Sequence, residues 1–422
     1  MPQLLADLTP LRLSPAFRRL WIGSALSAVG SQLTLVAVSL QVYALTGSSF
    51  SVGLLGLFAL VPLVLAGLYG GAIADSRDRR QVALASSAVL WLSTVAIAAQ
   101  AWAGLDNVWV LYVLVAVHSG AGGINQPARG AIIPKLVGTK LLPAANSLSM
   151  VTFGISQMVG PLLGGVLVAQ VGYAWTYSID VLTFLAALWS VYRLPSIPPE
   201  GGHAKAGIRS VVEGFRFLGT QPNVRMTFLI DLVAMVLAAP RALLPAIGAA
   251  LIGGGEATVG ILLAATALGA FLAGLFSGPL GRIHRQGVAV FWAVVGWGAS
   301  IALFGAVVLA AGGGTTAASG WLWAGAACMA LAGMSDAVSA VFRTTILQTA
   351  TPDHLRGRLQ GVFVVVVAGG PRLGEMVSGG AAAALGEGLT LVLGGLSCVG
   401  LAALLMRWQP GFLRYDSRHP EP

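Results

Sequence analysis

Charged residues are scarce in this sequence. Lys, Arg, Asp and Glu make up 9% of its 422 residues, whereas hydrophobic residues make up 56%; soluble domains carry about 25% charged residues. The few charges fall in short clusters between apolar runs of about 20 residues, the length that a helix needs to cross the hydrocarbon core of a bilayer. The composition therefore excludes an ordinary soluble protein and predicts a membrane protein with many spans.

Lysine and cysteine are rare as well. The three lysines never follow a glycine as the Walker A lysine does, and neither H-E-x-x-H nor G-x-S-x-G occurs. The two cysteines, Cys328 and Cys398, lie singly in apolar segments, which argues against a zinc site or a disulfide framework. We expect no enzymatic activity, no cofactor and no metal site.

The apolar runs predict an all-α polytopic protein with about twelve transmembrane helices. Arg12, Arg18 and Arg19 precede the first run, and no short apolar core with a small-residue cleavage site follows them. We therefore expect the first span to be retained rather than removed as a signal peptide. The predicted spans are 17–44, 51–74, 82–103, 108–127, 144–169, 174–193, 224–247, 257–280, 287–311, 321–343, 358–385 and 388–406.

The basic residues predict the orientation of these spans. If the N-terminus is cytoplasmic, 22 of the 24 Lys and Arg residues lie on the cytoplasmic side, as expected for inner loops. Arg241 and Arg372 are the other two, and both fall within predicted spans. Because the net charge of +9 is spread over seven loops and ends, it does not form the concentrated face that nucleic acids require. We expect a protein of the cytoplasmic membrane with both termini inside, in contact with lipid and with no nucleic-acid partner.

The longest polar break, 194–222, divides the chain into two similar halves. It begins with several prolines and continues with apolar residues interleaved with charges, which predicts a linker followed by an amphipathic helix on the inner membrane surface. Residues 159–165 also resemble residues 369–375. Such a duplication is typical of secondary transporters, and we expect a small-molecule substrate and a monomer. The predicted domains are 1–193 and 223–407 as six-helix bundles, 194–222 as the linker and 408–422 as a cytoplasmic tail.

A charged loop follows the second predicted span. It resembles the G-x-x-x-D-(R/K)-x-G-R-(R/K) signature of the major facilitator superfamily, with Ser76 in place of the basic residue and Asp78 in place of the second glycine. The resemblance implies twelve helices in two pseudo-symmetric bundles and a gate at this loop; an ordinary charged inner loop is the alternative. The signature residues are Gly71, Asp75, Arg77, Arg79 and Arg80.

The fifth predicted span resembles the antiporter signature of the same superfamily. Small residues at four-residue spacing allow two helices to approach closely. The resemblance implies export in exchange for protons as the coupling ion, whereas a general packing interface is the alternative. The residues concerned are Gly154, Gly160, Pro161, Gly164 and Gly165.

Four further stretches, 15–18, 213–218, 241–246 and 347–358, resemble the subfamily that contains bacterial enterobactin exporters and related macrolide and multidrug effluxers. The resemblance implies export of a siderophore of the enterobactin type. A broad efflux pump for amphipathic drugs remains an alternative, and so does a lipid flippase or a non-transporting membrane sensor.

Ionisable residues within predicted spans are costly in lipid and are therefore candidates for function. Glu375 and Arg372 lie three residues apart on one helical face, which suggests proton or substrate handling, or else a self-neutralising pair. Asp231 and Arg241 are ten residues apart, about 15 Å along a helix, and cannot pair with each other. Arg241 facing a cavity would suit an acidic or catecholate-like substrate; an outward-snorkelling arginine is the alternative.

Three other polar residues lie at membrane depth. Asp336 precedes Arg343 by seven residues and is predicted to form a gate ion pair or to bind a proton. His118 is predicted to form a hydrogen bond between helices or to relay protons. Asp180 lies close to Tyr173, Trp175 and Tyr177, which resemble an outer aromatic belt, so we expect it to be partly hydrated and the weakest candidate.

Overall fold

The computed structural model describes residues 7–198, 216–312, 319–350, 362 and 364–418. This part of the chain is helical and contains no β-strand, which confirms the predicted all-α class. The α-helices are α1 Thr9–Leu13, α2 Pro15–Thr46, α3 Ser49–Ser76, α4 Arg79–Trp102, α5 Val108–Tyr192, α6 Pro222–Leu237, α7 Gly255–Leu275, α8 Gln286–Ala311, α9 Ser319–Ala350, α10 Gly370–Leu385 and α11 Glu387–Trp408.

The 85 residues of α5 contain three predicted spans. A straight helix of this length would be roughly 130 Å long, several times the thickness of the hydrocarbon core. Gly138 and Gly172 interrupt it with φ values of 69° and 78°, a region that favours glycine. Nine helices in the described residues are long and apolar enough to cross a membrane; with α5 counted as three and α10 added, the twelve predicted spans are accounted for.

The seventh predicted span, 224–247, is not one continuous helix. α6 ends at Leu237, and the chain continues through a 3-10 turn, Arg241–Leu243, and a π-helical turn, Ile247–Leu251. Pro240 at the first break has no N–H to continue a helix. Most of the irregular backbone is buried in protein, as non-helical backbone at membrane depth must be: Leu243 has no exposed surface. Ala249 and Ala250, in the π-helical turn, are exposed.

The chain forms two compact units. The first comprises Met1–Gln41 and Phe58–Gly207, and the second comprises Val42–Leu57 and Ile208–Pro422. The predicted boundaries at 193, 222 and 407 stay a prediction. The predicted amphipathic helix falls largely on 208–215, outside the described residues, as does the 351–358 part of the subfamily stretch.

Glycine allows close helix contacts within the second unit. A Cβ on Gly269 of α7 would lie 1.8 Å from the carbonyl oxygen of Ala330, and one on Gly333 of α9 would lie 1.9 Å from that of Thr266. These two contacts are reciprocal, so α7 and α9 approach backbone to backbone. Interfaces of small residues are the usual way for helices to pack in lipid, where the hydrophobic effect does not drive them together.

Candidate functional site

Three charged side chains of the second unit form a cluster. Nη1 of Arg343, on α9, forms an ion pair with Oδ1 of Asp231 on α6, and Nη2 of Arg343 lies 3.6 Å from Oδ1 of Asp336. The side chains are 12% exposed for Arg343, 4% for Asp231 and 42% for Asp336. Arg343 therefore joins a buried carboxylate to a half-exposed one.

The sequence anticipates one half of this cluster. Asp336 and Arg343 are two helical turns apart on one helix, so they lie on similar faces. Asp231 reaches the same guanidinium from a neighbouring helix more than 100 residues earlier in the chain. With both carboxylates ionised, the cluster carries a net charge of −1, and one bound proton brings it to zero. Because an uncompensated buried charge is costly, binding of one proton by either carboxylate has a low electrostatic cost here.

A small cavity of about 60 Å³ adjoins the cluster. Arg343 forms part of its wall, together with Thr227 and Phe228 from α6 and Thr344 and Leu347 from α9. This volume holds a few water molecules but is far smaller than the 300–1,000 Å³ of typical ligand pockets. In this conformation the cavity cannot hold a drug-sized molecule.

Arg241 lies in a second charged group of the same unit. Its 3-10 turn packs against α10, which carries Arg372 and Glu375, and both residues interact electrostatically with Arg241. The group contains two cations and one anion, so it favours an additional negative charge. The structure thus separates Asp231 and Arg241 into different groups, as their spacing requires.

Glu375 is held tightly within the second unit. It is 8% exposed, and a Cβ placed on Gly56 would lie 2.8 Å from its Oε2. A Cβ on Gly53 would lie 2.4 Å from its carbonyl oxygen. Glycine at position 56 leaves space for this buried carboxylate and glycine at position 53 leaves space for the backbone of α10, so larger side chains there would displace Glu375.

His118 lies between two helices of the first unit. Its Nδ1 is 3.0 Å from the hydroxyl oxygen of Ser93 on α4. The Ser93 hydroxyl also donates to the carbonyl oxygen of Leu90 at 2.7 Å. Because a serine hydroxyl has one hydrogen, this arrangement favours the tautomer in which Nδ1 of His118 donates to Ser93.

The residues of the predicted gating loop lie at the junction of α3 and α4. Gly71 and Asp75 belong to the last turns of α3. The Asp75 side chain falls outside the described part, so its predicted ion pair stays a prediction. Arg77 is exposed, whereas Arg80 donates to the carbonyl oxygen of Tyr192 at 2.6 Å. Arg79 begins α4, and its Nη1 lies 3.5 Å from the carbonyl oxygen of Ala131.

Asp78, which departs from the superfamily signature, caps the N-terminus of α4. Its carboxylate accepts hydrogen bonds from the backbone N–H groups of Arg80 and Ile197, at 2.9 and 3.1 Å, and from the Ser196 hydroxyl at 2.6 Å. Desolvation raises the pKa of Asp78, but these hydrogen bonds outweigh it and lower the pKa below its usual value. Aspartate here thus fastens the loop to the segment that follows α5.

The antiporter-like glycines differ in their surroundings. A Cβ on Gly160 would lie 2.4 Å from Cβ of Gln32 on α2, and one on Gly164 would lie 3.3 Å from Cβ of Val36. Gly154 has open space around the equivalent position. Pro161 and Gly165 are buried. The motif is therefore a contact between α5 and α2 in which Gly160 is the tightest point.

Asp180 contradicts the expectation of partial hydration. Its exposure is 0%, its Oδ2 accepts a 2.6 Å hydrogen bond from Thr34 of α2, and its Oδ1 has no hydrogen-bond partner among the described residues. Trp175 is exposed on another face of the helix, whereas Tyr177, three residues before Asp180 and near the same face, is buried with it. Aromatic neighbours in the sequence therefore did not mark a hydrated position.

The predicted fourth span extends beyond its predicted end at residue 127. Arg129, which the sequence counts among the cytoplasmic basic residues, lies within α5, and its Nε and Nη2 atoms are buried. The helix continues to Gly138 before its first interruption, and the cytoplasmic placement of Arg129 stays a prediction.

Comparisons with known proteins agree with this architecture. Residues 5–415 match the family described as transmembrane secretion effector. The chain is 28% identical over 418 residues to the "Enterobactin exporter EntS" of Citrobacter koseri, covering 99% of this chain and 97% of that protein. It is 29% identical to the protein of the same name from Shigella boydii, covering 95% and 94%.

Two solved transporters share the fold. The nucleoside transporter NupG superposes with a TM-score of 0.71 at 14% identity, over 95% of this chain and 100% of that one. A bacterial homologue of the iron transporter ferroportin, in an inward-facing state, gives a TM-score of 0.67 at 17% identity, over 96% and 99%. The resemblance to the major facilitator superfamily is confirmed. The chain therefore belongs to the transmembrane secretion effector family of this superfamily and is a multi-pass membrane transporter.

Proposed function

We propose that this chain is a proton-driven secondary exporter that moves a siderophore of the enterobactin type out of the cytoplasm by alternating access. It would lie in the cytoplasmic membrane as a monomer with both termini inside, as the basic residues favour. Two six-helix bundles, 1–193 and 223–407, would be joined by the linker at 194–222. The observation that carries the proton coupling is the sharing of one guanidinium, that of Arg343, by two carboxylates.

The coupling would operate through the charge of that cluster. Proton binding to Asp336 or Asp231 removes one of the two negative charges that hold Arg343. A change in the ion pairing of one buried guanidinium biases a two-state packing arrangement. His118, whose Nδ1 contacts the Ser93 hydroxyl on α4, would relay protons in the first unit.

The substrate assignment has two supports. Near-full-length relatives carry the name enterobactin exporter, and the group of Arg241, Arg372 and Glu375 has an excess of positive charge. Such a group favours a substrate with anionic or catecholate oxygens. A lipophilic cation would be repelled by the same group.

The proposal is tested with purified protein in liposomes whose lumen is more acidic than the buffer. Molecules inserted with their cytoplasmic face outward should then accumulate enterobactin in the lumen and should not accumulate a lipophilic cationic dye. Accumulation of the dye alone would overturn the siderophore assignment in favour of a drug efflux pump. Accumulation of enterobactin without any pH gradient would overturn the proton coupling.

Substitution of the carboxylates tests the coupling site. We expect Asp336→Asn to abolish gradient-driven accumulation while the exchange of labelled for unlabelled substrate continues, because exchange requires no net proton movement. The matched control is Asp106→Asn, which alters an exposed carboxylate in the loop between α4 and α5. Gradient-driven accumulation by Asp336→Asn at the rate of the control would exclude Asp336, and the same result for Asp231→Asn would exclude the cluster.

The antiporter-like motif offers a test of helix contact. We expect Gly160→Ala to slow export and to destabilise the protein by about 1–3 kcal/mol, since the new methyl group overlaps Gln32. Gly154→Ala, in the same motif but with open space around it, is the control. Transport rates and thermal unfolding of both variants in detergent distinguish a specific contact from general tolerance. Equal behaviour of the two would contradict a role for the α2–α5 contact.

A further inference from the structure

The chain that follows α11 packs back onto the second unit. α11 ends at Trp408, and a 3-10 turn, Pro410–Arg414, comes next. This turn contacts α6, α8 and α11. Phe412 has no exposed surface and Tyr415 is 4% exposed, whereas chain ends are poorly ordered unless contacts hold them. Residues 409–417, the C-terminal clasp, are therefore a packed element of this unit.

Backbone contacts hold the C-terminal clasp on α8. Gly287 lies in the first turn of α8, and a Cβ at this position would overlap the carbonyl oxygen of Phe412. The backbone N–H of Ser417 donates a 3.0 Å hydrogen bond to the carbonyl oxygen of His284, in the loop before α8. Glycine at position 287 thus permits a close approach that any other residue would prevent.

The C-terminal clasp reaches α6 at its beginning. Nη2 of Arg225, in the first turn of α6, donates a 3.4 Å hydrogen bond to Oε1 of Gln409. The guanidinium carbon of Arg225 also lies 4.9 Å from the ring centroid of Trp408, within the range of a cation–π contact. Two contacts of a single arginine therefore join the end of α11 to the start of α6.

The C-terminal clasp reaches α9 at its other end. The hydroxyl oxygens of Tyr415 and of Thr349, in the last turn of α9, are 3.0 Å apart. The Thr349 hydroxyl donates to the carbonyl oxygen of Thr345 at 2.8 Å, and a hydroxyl has one hydrogen, so Tyr415 is the donor to Thr349. Because Thr349 is exposed whereas Phe412 is buried, this hydrogen bond is the contact of the clasp that breaks most readily.

The two attachment points lie at equal distances from the ion pair of the charged cluster. Arg225 precedes Asp231 by six residues on α6, and Thr349 follows Arg343 by six residues on α9, which is about 9 Å along each helix. The clasp thus bridges the same two helices as the Asp231–Arg343 ion pair, nearer to their ends. Residues of both helices that line the small cavity fall between the two bridges.

We propose that the C-terminal clasp resists the separation of α6 from α9, and that it releases Thr349 while it stays on α8 when these helix ends part. The inference concerns a motion of the second unit and goes beyond the proposed substrate and coupling ion. A transporter that alternates between two packing arrangements breaks some contacts in each cycle. The clasp sets the cost of that step at the ends of the two helices that carry the charged cluster.

Hydrogen–deuterium exchange of the purified full-length protein tests the clasp directly. Gly287→Ala should lift the clasp from α8, because the new methyl group overlaps the backbone of Phe412. Amide hydrogens exchange when their helix opens locally. Since several contacts are lost together, we expect exchange at 225–229 and at 345–350 to become at least about tenfold faster.

The matched control for this variant is Gly281→Ala. Gly281 lies in the 3-10 turn before α8, and open space surrounds the position of the new methyl group. We expect this variant to exchange hydrogen as the natural protein does. Faster exchange of Gly287→Ala that is confined to 409–417 and α8 would overturn the proposal, since the clasp would then hold neither α6 nor α9.

A milder variant tests release at α9. Tyr415→Phe removes the donor and keeps the buried ring, and loss of one neutral hydrogen bond shifts an equilibrium by about two- to tenfold. We expect hydrogen exchange at 345–350 to rise by this factor and that at 225–229 to stay unchanged. Thr349→Val should act in the same way, and the double variant should add nothing further. Unchanged exchange at 345–350 in both single variants would overturn release at α9.

Transport distinguishes a restraining contact from a merely structural one. In liposomes, Tyr415→Phe should raise the rate at which labelled enterobactin replaces unlabelled enterobactin by about two- to tenfold. KM should stay unchanged, because the variant alters the parting of the helix ends rather than substrate contacts. A structural role would instead lower the melting temperature and slow this replacement, and that result would reject the proposal.

The outcomes also separate the clasp from the proposed function. Faster hydrogen exchange at 345–350 in Tyr415→Phe, with no transport of enterobactin by the natural protein, would retain the clasp and reject the siderophore exporter. Enterobactin transport by a protein whose hydrogen exchange is the same in Gly287→Ala, Tyr415→Phe and the natural sequence would retain the exporter and reject the clasp.

Discussion

The two units hold buried charge in different ways. In the second unit, Arg343 contacts two carboxylates and Arg241 lies with Glu375 and a second arginine. In the first unit, the described residues provide Asp180 and Arg129 with neutral hydroxyls as hydrogen-bond partners, those of Thr34 and Ser24. Paired charges compensate each other within the protein, whereas lone charges require something from outside it.

The two lone charges differ in what can compensate them. A carboxylate can take up a proton and become neutral, but a guanidinium cannot. Asp180 can therefore become neutral in the apolar interior, whereas Arg129 keeps its charge there. The first unit thus holds one group that a proton can neutralise and one that it cannot, and the second unit combines opposite charges in each group.

The largest effect should come from breaking a pair in the second unit. Arg343→Gln leaves Asp231 buried without its cation, and we expect a loss of about 3–5 kcal/mol in the free energy of unfolding. Thermal unfolding in detergent, followed by tryptophan fluorescence, measures the loss. Asp231→Asn combined with Arg343→Gln should recover a large part of it, because neither charge then remains unpaired. A double variant as unstable as Arg343→Gln alone would show that the pairing is not the cause.

A smaller effect is expected from the lone acid of the first unit. Asp180→Asn keeps an oxygen that accepts the hydrogen bond from Thr34 and removes no ion pair, so we expect a change below about 1 kcal/mol. The same unfolding assay applies, with Thr34→Val as a companion that removes the donor. A loss as large as that of Arg343→Gln would mean that Asp180 has a cationic partner, and the contrast between the units would fail.

The sequence predicts the fold well and the site in part. Apolar runs set the spans because each helix must cross the same thickness of hydrocarbon, a purely local requirement. The spacing of Asp336 and Arg343 on one helix is local too. The addition of Asp231 to that pair depends on how α6 packs on α9, and no pattern within either helix encodes that contact.

The errors follow the same division. The fourth span was predicted to end at residue 127, yet α5 continues to Gly138 before its first interruption. Asp180 was expected to be hydrated because aromatic residues precede it in sequence, although Tyr177, one turn before it, is itself buried. The first error concerns the length of a helix, and the second concerns which face of a helix is covered, a matter decided by neighbouring helices. In the seventh span, Pro240 indicates a helix break in the sequence, but the sequence does not indicate how many residues the break includes.

The smallest effect on stability is expected at Asp78, in the loop between α3 and α4, where hydrogen bonds stabilise the charged carboxylate. Asp78→Ala removes the N-cap of α4 and should cost about 1 kcal/mol, whereas Asp78→Asn retains a capping oxygen and should cost a few tenths. Because the pKa of Asp78 is lower in the folded protein, its carboxylate contributes stability at pH values above its unfolded pKa of 3.8. This contribution is lost as the pH falls through the pKa of the folded state. Unfolding of both variants and of the natural protein between neutral and acidic pH measures this contribution. The advantage of Asp78 over Ala should shrink on acidification, and an advantage that grows instead would show that the charge of Asp78 opposes the loop contact with Ser196.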